Sequence, residues 1–341
     1  FAVASAGVGR ALLSRAKIAA AGRDEVVLPL ARATVSDPSP AASFNVSGLS
    51  PIVTSNEEFY RIDTALTPPR IDLEGWSMSI TGMVDRPLEL TYEHLLDMPM
   101  IERYVTLCCV SNEVGGNLIS NAKWLGVPLE DLLVRAGVHD GATQIVGRSV
   151  DKFTVGFPTE TALDGREALV AVGMNGEPLP FEHGFPARIV VSGLYGYVSA
   201  TKWLSEIELT TWEAFDAYWI PRGWSKEGPV KTQSRIDLPR SGARLNPGLN
   251  QIAGVAWAQN RGITKVEVRT GDDAWREAQV SEPLSKDTWV QWAIDWDAPP
   301  GSHLVSVRAT DATGITQGAT PRPPRPDGAE GYHSISVAVS A

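Results

Sequence analysis

Thr106-Leu107-Cys108-Cys109-Val110-Ser111-Asn112-Glu113-Val114-Gly115-Gly116 holds the only two cysteines of a 341-residue chain. They close an apolar, β-prone run, Tyr104-Val105-Thr106-Leu107, and a polar turn with two glycines follows. The pattern predicts a thiol held at the tip of a strand, where the chain bends. Backbone N–H groups of a Gly/Ser/Asn turn can converge on an anion, and a thiolate beside them is a good soft-metal ligand. Two other readings of the pair stand beside this one: small core hydrophobes, or a vicinal disulfide. There is no CxxC and no second cysteine cluster, which argues against a zinc site or an iron–sulfur cluster.

The length suggests two domains. Hydrophobic residues make up 43% of the chain and include 11 tryptophans, enough for two cores. The formal net charge of −10, without a basic block, argues against nucleic acid as a partner. No GxGxxG, Walker A, HExxH or GxSxG pattern is present, so nucleotide, zinc-hydrolase and serine-hydrolase chemistry has no footing. There is no CxxCH, so no haem is expected in this chain. No run of 18 apolar residues occurs. Phe1 to Gly9 is small and apolar, and reads either as part of an amphipathic helix or as the tail of a membrane segment.

Taken in order, residues 10–35 read as a helix, Pro38-Ser39-Pro40 as a linker, and 1–45 together as an N-terminal arm. Trp76 to Gly82 alternates as a strand, and Thr91 caps a helix whose His94 reads as a surface residue. Pro128 to Gly137 is a helix, Gln144 to Arg148 a strand, and Ala168 to Met174 a buried strand ending at an Asn175-Gly176 turn. Trp212, Phe215, Tyr218, Trp219 and Trp224 read as packing between domains. From about residue 236 short strands recur, with Val290, Trp292, Ile294 and Trp296 on one face. They suggest a β-sandwich of immunoglobulin-like type over 236–341.

Three segments carry a resemblance. The first is Cys109-Val110-Ser111-Asn112 with Gly115-Gly116 and Asn121 to Leu129. The second is Asn175 to Pro180 followed by His183 to Val191. The third is Gly193-Leu194-Tyr195-Gly196 through Ser199 to Lys202-Trp203-Leu204. Their order and spacing resemble the molybdopterin domain of the sulfite oxidase family over roughly residues 50–340. The resemblance implies an α+β chain: a molybdopterin-binding catalytic domain over 46–235, then an immunoglobulin-like sandwich that the family uses for dimerisation. It implies a molybdenum–molybdopterin cofactor with Cys109 as metal ligand. Asn56, Tyr60, Arg61, Ser111, Asn112, His183, Arg188, Ser199, Ala200, Thr201 and Lys202 would bind the cofactor, with Arg61 also facing the substrate. Gly196 to Thr201 would form a flexible turn whose N–H groups approach the cofactor. A small-molecule substrate, an external electron-transfer partner, a homodimer and an extracytoplasmic, membrane-anchored setting follow from the same likeness.

The chain departs from the sulfite-oxidising pattern at three places. Glu113-Val114 stands where an arginine follows the cysteine, Val198 or Ser199 where another precedes the Lys-Trp pair, and Phe153 at the position of an active-site tyrosine. One residue is also inserted before Lys202. Sulfite is a dianion near neutral pH and needs several cationic partners when desolvated. The expectation is therefore oxygen-atom transfer or two-electron redox on a small substrate other than sulfite. A sulfite oxidase and a non-catalytic binding module are the alternatives.

Overall fold

The computed structural model describes residues 22–341. The cysteine-bearing strand Ile101–Cys108 lies at the edge of a mixed-length sheet ordered Ile101–Cys108, Ile119–Pro128, Ala168–Met174, Glu177–Pro178. Arg188–Val191 also pairs with Ala168–Met174. A second sheet is ordered Leu88–Thr91, Ser77–Gly82, Leu204–Thr210, Gln144–Ser149, Thr154–Pro158. One core serves both, running through Trp124, Phe157 and Phe185. Ala168–Met174 is apolar and buried along its whole length, as a strand covered on both faces must be. The Asn175-Gly176 turn after it has φ of 52° and 85°, the left-handed pair that a two-residue hairpin requires.

From Gln233 the chain forms two further sheets. One is ordered Gln233–Leu238, Gly248–Trp257, Val290–Ala298, Gln279–Val280; the other Arg244–Leu245, His333–Val339, Gly301–Asp311, Ile263–Thr270, Arg276–Glu277. They enclose their own core around Trp292, Trp296 and Val307. The expected face of Val290, Trp292 and Trp296 is buried there, with Ile294 packed at its margin.

The chain is more completely β than the α+β expectation. Among the described residues the longest helix is Leu129–Ala136, closed by Gly137 in the left-handed conformation. Tyr92–Leu96 is capped by Thr91 and His94 in a reciprocal box, which accounts for His94 as a surface capping residue. The first part of the expected helix over 10–35, residues 10–21, lies outside the described residues. Of its described part only 22–24 is helical. Val26-Val27-Leu28-Pro29 cannot continue it, since two β-branched residues and a proline oppose helix. The arm instead runs extended and packs Val26, Leu28, Ala31 and Ala33 against the first core.

An edge strand presents unpaired backbone groups, and here both ends of that edge are covered. Ala33 bridges Ile101, with the Glu102 N–H donating to Ala33 O at 2.8 Å. At the cysteine end the sandwich does the covering. The Thr106 N–H donates to Asp287 O at 3.0 Å, and Gln259 Nε2 donates to Thr106 O at 3.0 Å. Arg235 completes the suture, donating to Gly116 O at 2.8 Å and to Ser50 Oγ at 2.8 Å. The second domain thus fixes the loop that follows the cysteines. No helix among the described residues is long and apolar enough to cross a membrane.

Candidate active site

Cys108 ends its strand and Cys109 begins the turn, so their side chains diverge. Cys109 lines a cavity of about 130 Å³, whereas Cys108 is enclosed by core and donates its thiol to Cys109 O at 3.5 Å. Both are free thiols, so the vicinal disulfide is not formed. The turn holds itself. Asn112 N–H donates to Cys109 O at 3.0 Å, and Asn112 Oδ1 accepts from Leu118 N–H at 2.8 Å. Gly115 has φ +78°, and a Cβ there would lie 2.3 Å from the His333 ring. Burial pushes both thiols up, Cys108 far up; the backbone and side chain of Ser111 pull Cys109 back toward the thiolate.

Tyr60, Ser111, His183, Arg188, Ala200 and Lys202 line the same cavity. Arg188 stands on a fully buried strand, donates from Nη1 to His183 O at 3.0 Å, and lies 5.0 Å over the Trp124 ring. Burial brings its pKa down to about 10, although Tyr60 and Asp63 oppose the shift. Its buried Nε has no partner. Burial likewise lowers His183 to about 4, and Arg188 and Lys202 reinforce it against the Asn56 carbonyl. His183 is therefore neutral, with Nε2 donating to Asn56 O at 2.8 Å. Lys202 falls to about 8 through burial, with Asp63 opposing. It contacts Asp63 and donates to Glu182 O at 3.0 Å. Burial raises Tyr60 well above the ordinary phenol, and Cys109 and Cys108 add to the effect, so its hydroxyl keeps its proton.

The remaining expected residues stand behind or beside this wall. Asn56 holds His183 and accepts from Asn175 Nδ2 at 2.8 Å. Asn112 shapes the cysteine turn. Ser199 Oγ is spent on Tyr195 O at 3.1 Å. Thr201 is fully buried with an unpartnered Oγ1. Arg61 is exposed, does not line the cavity, and pairs with Asp63 at 2.5 Å. The expected flexible turn at Gly196 is one helical turn, Gly196–Ser199. The N–H groups of Val198 and Ala200 are committed inside it.

Asp63, Asp151, Tyr197, Trp219 and Trp224 were not expected at the site, yet all line the cavity with Phe153. Trp219 and Trp224 had read as packing between domains. They form a cavity wall because the segment carrying them folds back over the Ser149–Phe153 turn. Tyr218 N–H donates to Thr154 Oγ1 at 3.0 Å, and the Tyr218 ring meets Phe153 at 5.6 Å.

Residues 65–219 match the family described as "Oxidoreductase molybdopterin binding domain". Mitochondrial sulfite oxidase of Homo sapiens is 27% identical over 75% of this chain and 55% of its own length. Inducible nitrate reductase [NADH] 2 of Glycine max is 34% identical over 73% of this chain and 35% of its own length. This chain therefore spans about half or less of the curated relatives it matches. Among solved structures, the sulfane dehydrogenase SoxCD from Paracoccus pantotrophus superposes with a TM-score of 0.73 over 91% of this chain and 90% of that chain, at 23% identity. At that identity the likeness concerns the fold.

Proposed function

We propose that this chain, whose residues 65–219 carry a molybdopterin-binding oxidoreductase domain, is a molybdenum-cofactor-dependent oxidoreductase acting on a small substrate other than sulfite. The observation that carries the reading is the pairing of one cavity-facing thiol, Cys109, with a cation on the same cavity wall whose Nε is left buried and unpartnered, Arg188. A buried guanidinium without an anion is costly, and an anionic pterin phosphate is the kind of partner that removes the cost. The residues present thus fit the group.

Cys109 would be the thiolate ligand, with Ser111 stabilising its charge. Arg188 would hold the anionic portion with Lys202, paired with Asp63, beside it, and neutral His183, its Nε2 proton given to Asn56 O, would offer Nδ1 as an acceptor without adding charge. When bound, the cofactor supplies two-electron redox and oxygen-atom transfer. Tyr60, holding its proton in the cavity, can donate a hydrogen bond to substrate. Sulfite fits poorly: of the nearby cations, Lys202 and Arg61 are committed to Asp63, and Phe153 offers no phenol. An external electron carrier, an immunoglobulin-like class for the second domain and dimerisation through it belong to the same proposal.

The test is metal content. About one molybdenum per chain, from a host supplied with molybdate, is expected; none would favour the binding-module alternative. On the loaded protein, sulfite oxidation is compared with reduction of methionine sulfoxide, dimethyl sulfoxide and nitrate, using a dye as electron partner. Fast sulfite turnover with no activity on the others would leave sulfite oxidase as the reading.

A further inference from the structure

The cavity lining includes a group of aromatic side chains beside its charged ones. Phe153 comes from the turn after Gln144–Ser149, Tyr197 from the Gly196–Ser199 turn, and Trp219 and Trp224 from the segment that covers them. Trp219 and Trp224 meet nearly at right angles, centroids 6.3 Å apart at 75°. Tyr197 lies 5.9 Å from Trp224 at 50°. The Tyr197 hydroxyl is spent on Ser225 O at 2.6 Å, so the residue presents its ring rather than its phenol. These rings therefore make an aromatic box on the cavity wall, and an aromatic ring is negative over its face and positive at its edge.

One carboxylate joins the box. Asp151 lines the cavity, and its Oδ1 accepts from the Phe153 N–H at 3.1 Å. Among the described residues Asp151 has no ion pair, while the other lining aspartate, Asp63, is held by Arg61 and Lys202. The cavity's cations, Arg188 and Lys202, belong to the His183–Trp203 stretch: Arg188 stacks on Trp124, and Lys202 is tied to Asp63 and Glu182 O. Arg222 stacks on Tyr218 at 3.8 Å, and neither residue lines the cavity. Lys152 beside Asp151 is exposed and does not line the cavity.

We infer that this aromatic box with Asp151 recognises a compact alkylated onium group, so that the substrate of the site carries a quaternary ammonium or similar cationic head. Onium ions have weak hydration and a diffuse charge, which suits rings that give attraction without hydrogen bonds. An anion placed against Asp151 would meet an unpaired carboxylate and be repelled. The inference rests on reading the cavity as the active site, and it names what the aromatic part of its lining accepts.

Choline and its uncharged tert-butyl isostere, in which carbon replaces the ammonium nitrogen, have the same shape. Their binding is followed by tryptophan fluorescence and calorimetry on the full chain, with molybdenum content measured on the same samples. Choline is expected to bind roughly tenfold more tightly than the isostere. Asp151→Asn should erase most of that preference, and Trp219→Leu should weaken choline while Trp219→Phe, which keeps a π-face, restores it. Equal binding of the two probes to the wild type would overturn the inference. So would a choline preference untouched by Asp151→Asn and Trp219→Leu in variants with native circular dichroism. Choline selectivity in a chain that takes up no molybdenum would uphold the box and sink the oxidoreductase reading. Molybdenum uptake without choline selectivity would do the reverse.

Discussion

Arg188→Met should move stability and cofactor content in opposite directions. Met is unbranched and adaptable enough to lie beside Trp124 in the guanidinium's place. Keeping Arg188 charged in the cofactor-free chain, with its pKa down from the usual guanidinium range to about 10, costs about 3 kcal/mol. Against that stand the hydrogen bond to His183 O and the contact with Trp124, about 1 kcal/mol each. The balance is a gain of about 1 kcal/mol for the cofactor-free variant, roughly 2 °C in a domain of this size. Removing a buried charge that faces an anionic ligand costs roughly 2–5 kcal/mol in binding, so cofactor content should fall more than tenfold. Thermal unfolding of cofactor-free protein and molybdenum content of protein from supplemented cells read the two effects separately. A variant that is several degrees less stable yet fully loaded would refute the reasoning and make Arg188 a structural residue.

Three further predictions concern other parts of the chain. Burial pushes Asp311 up, but hydrogen bonds from Thr313, Thr232 and Arg261 outweigh it and bring its pKa down to about 2. Asp311 should therefore contribute about 2 kcal/mol of stability above pH ~4, lost as pH falls toward 2; acid unfolding of Asp311→Asn should lack that limb. Gly115→Ala combines a left-handed backbone with a clash against the His333 ring, where the sandwich meets the cysteine turn. It should cost roughly 1–3 kcal/mol in denaturant unfolding and lower cofactor content as well. Phe153→Tyr restores only a phenol, so sulfite turnover should rise by less than tenfold in steady-state assays, because no cation is added.

The cysteine strand was legible because an apolar run ending in two cysteines and a glycine turn has few alternatives. The charged part of the cavity lining was legible because a charged residue on a buried strand, such as Arg188, has no ordinary reason to be there. The aromatic wall was not. Trp219 and Trp224 sit in an aperiodic segment, and the same composition serves interdomain packing or a pocket lining; only the fold-back over Phe153 decides. Asp63 was missed for a related reason. Its partners Arg61 and Lys202 are 2 and 139 positions away, and the nearer one looked like a substrate contact on its own. The stretch 25–35 was misread as helix because helical composition before it masked a β-branched, proline-containing continuation.

The central claim is that Cys109 holds molybdenum. X-ray absorption at the molybdenum edge measures the sulfur ligands directly. The account predicts that the loaded wild type shows a cysteinyl sulfur in addition to the dithiolene pair, that Cys108→Ser retains it, and that Cys109→Ser loses one sulfur from the metal shell. An unchanged sulfur shell in Cys109→Ser, or its loss in Cys108→Ser alone, would contradict it.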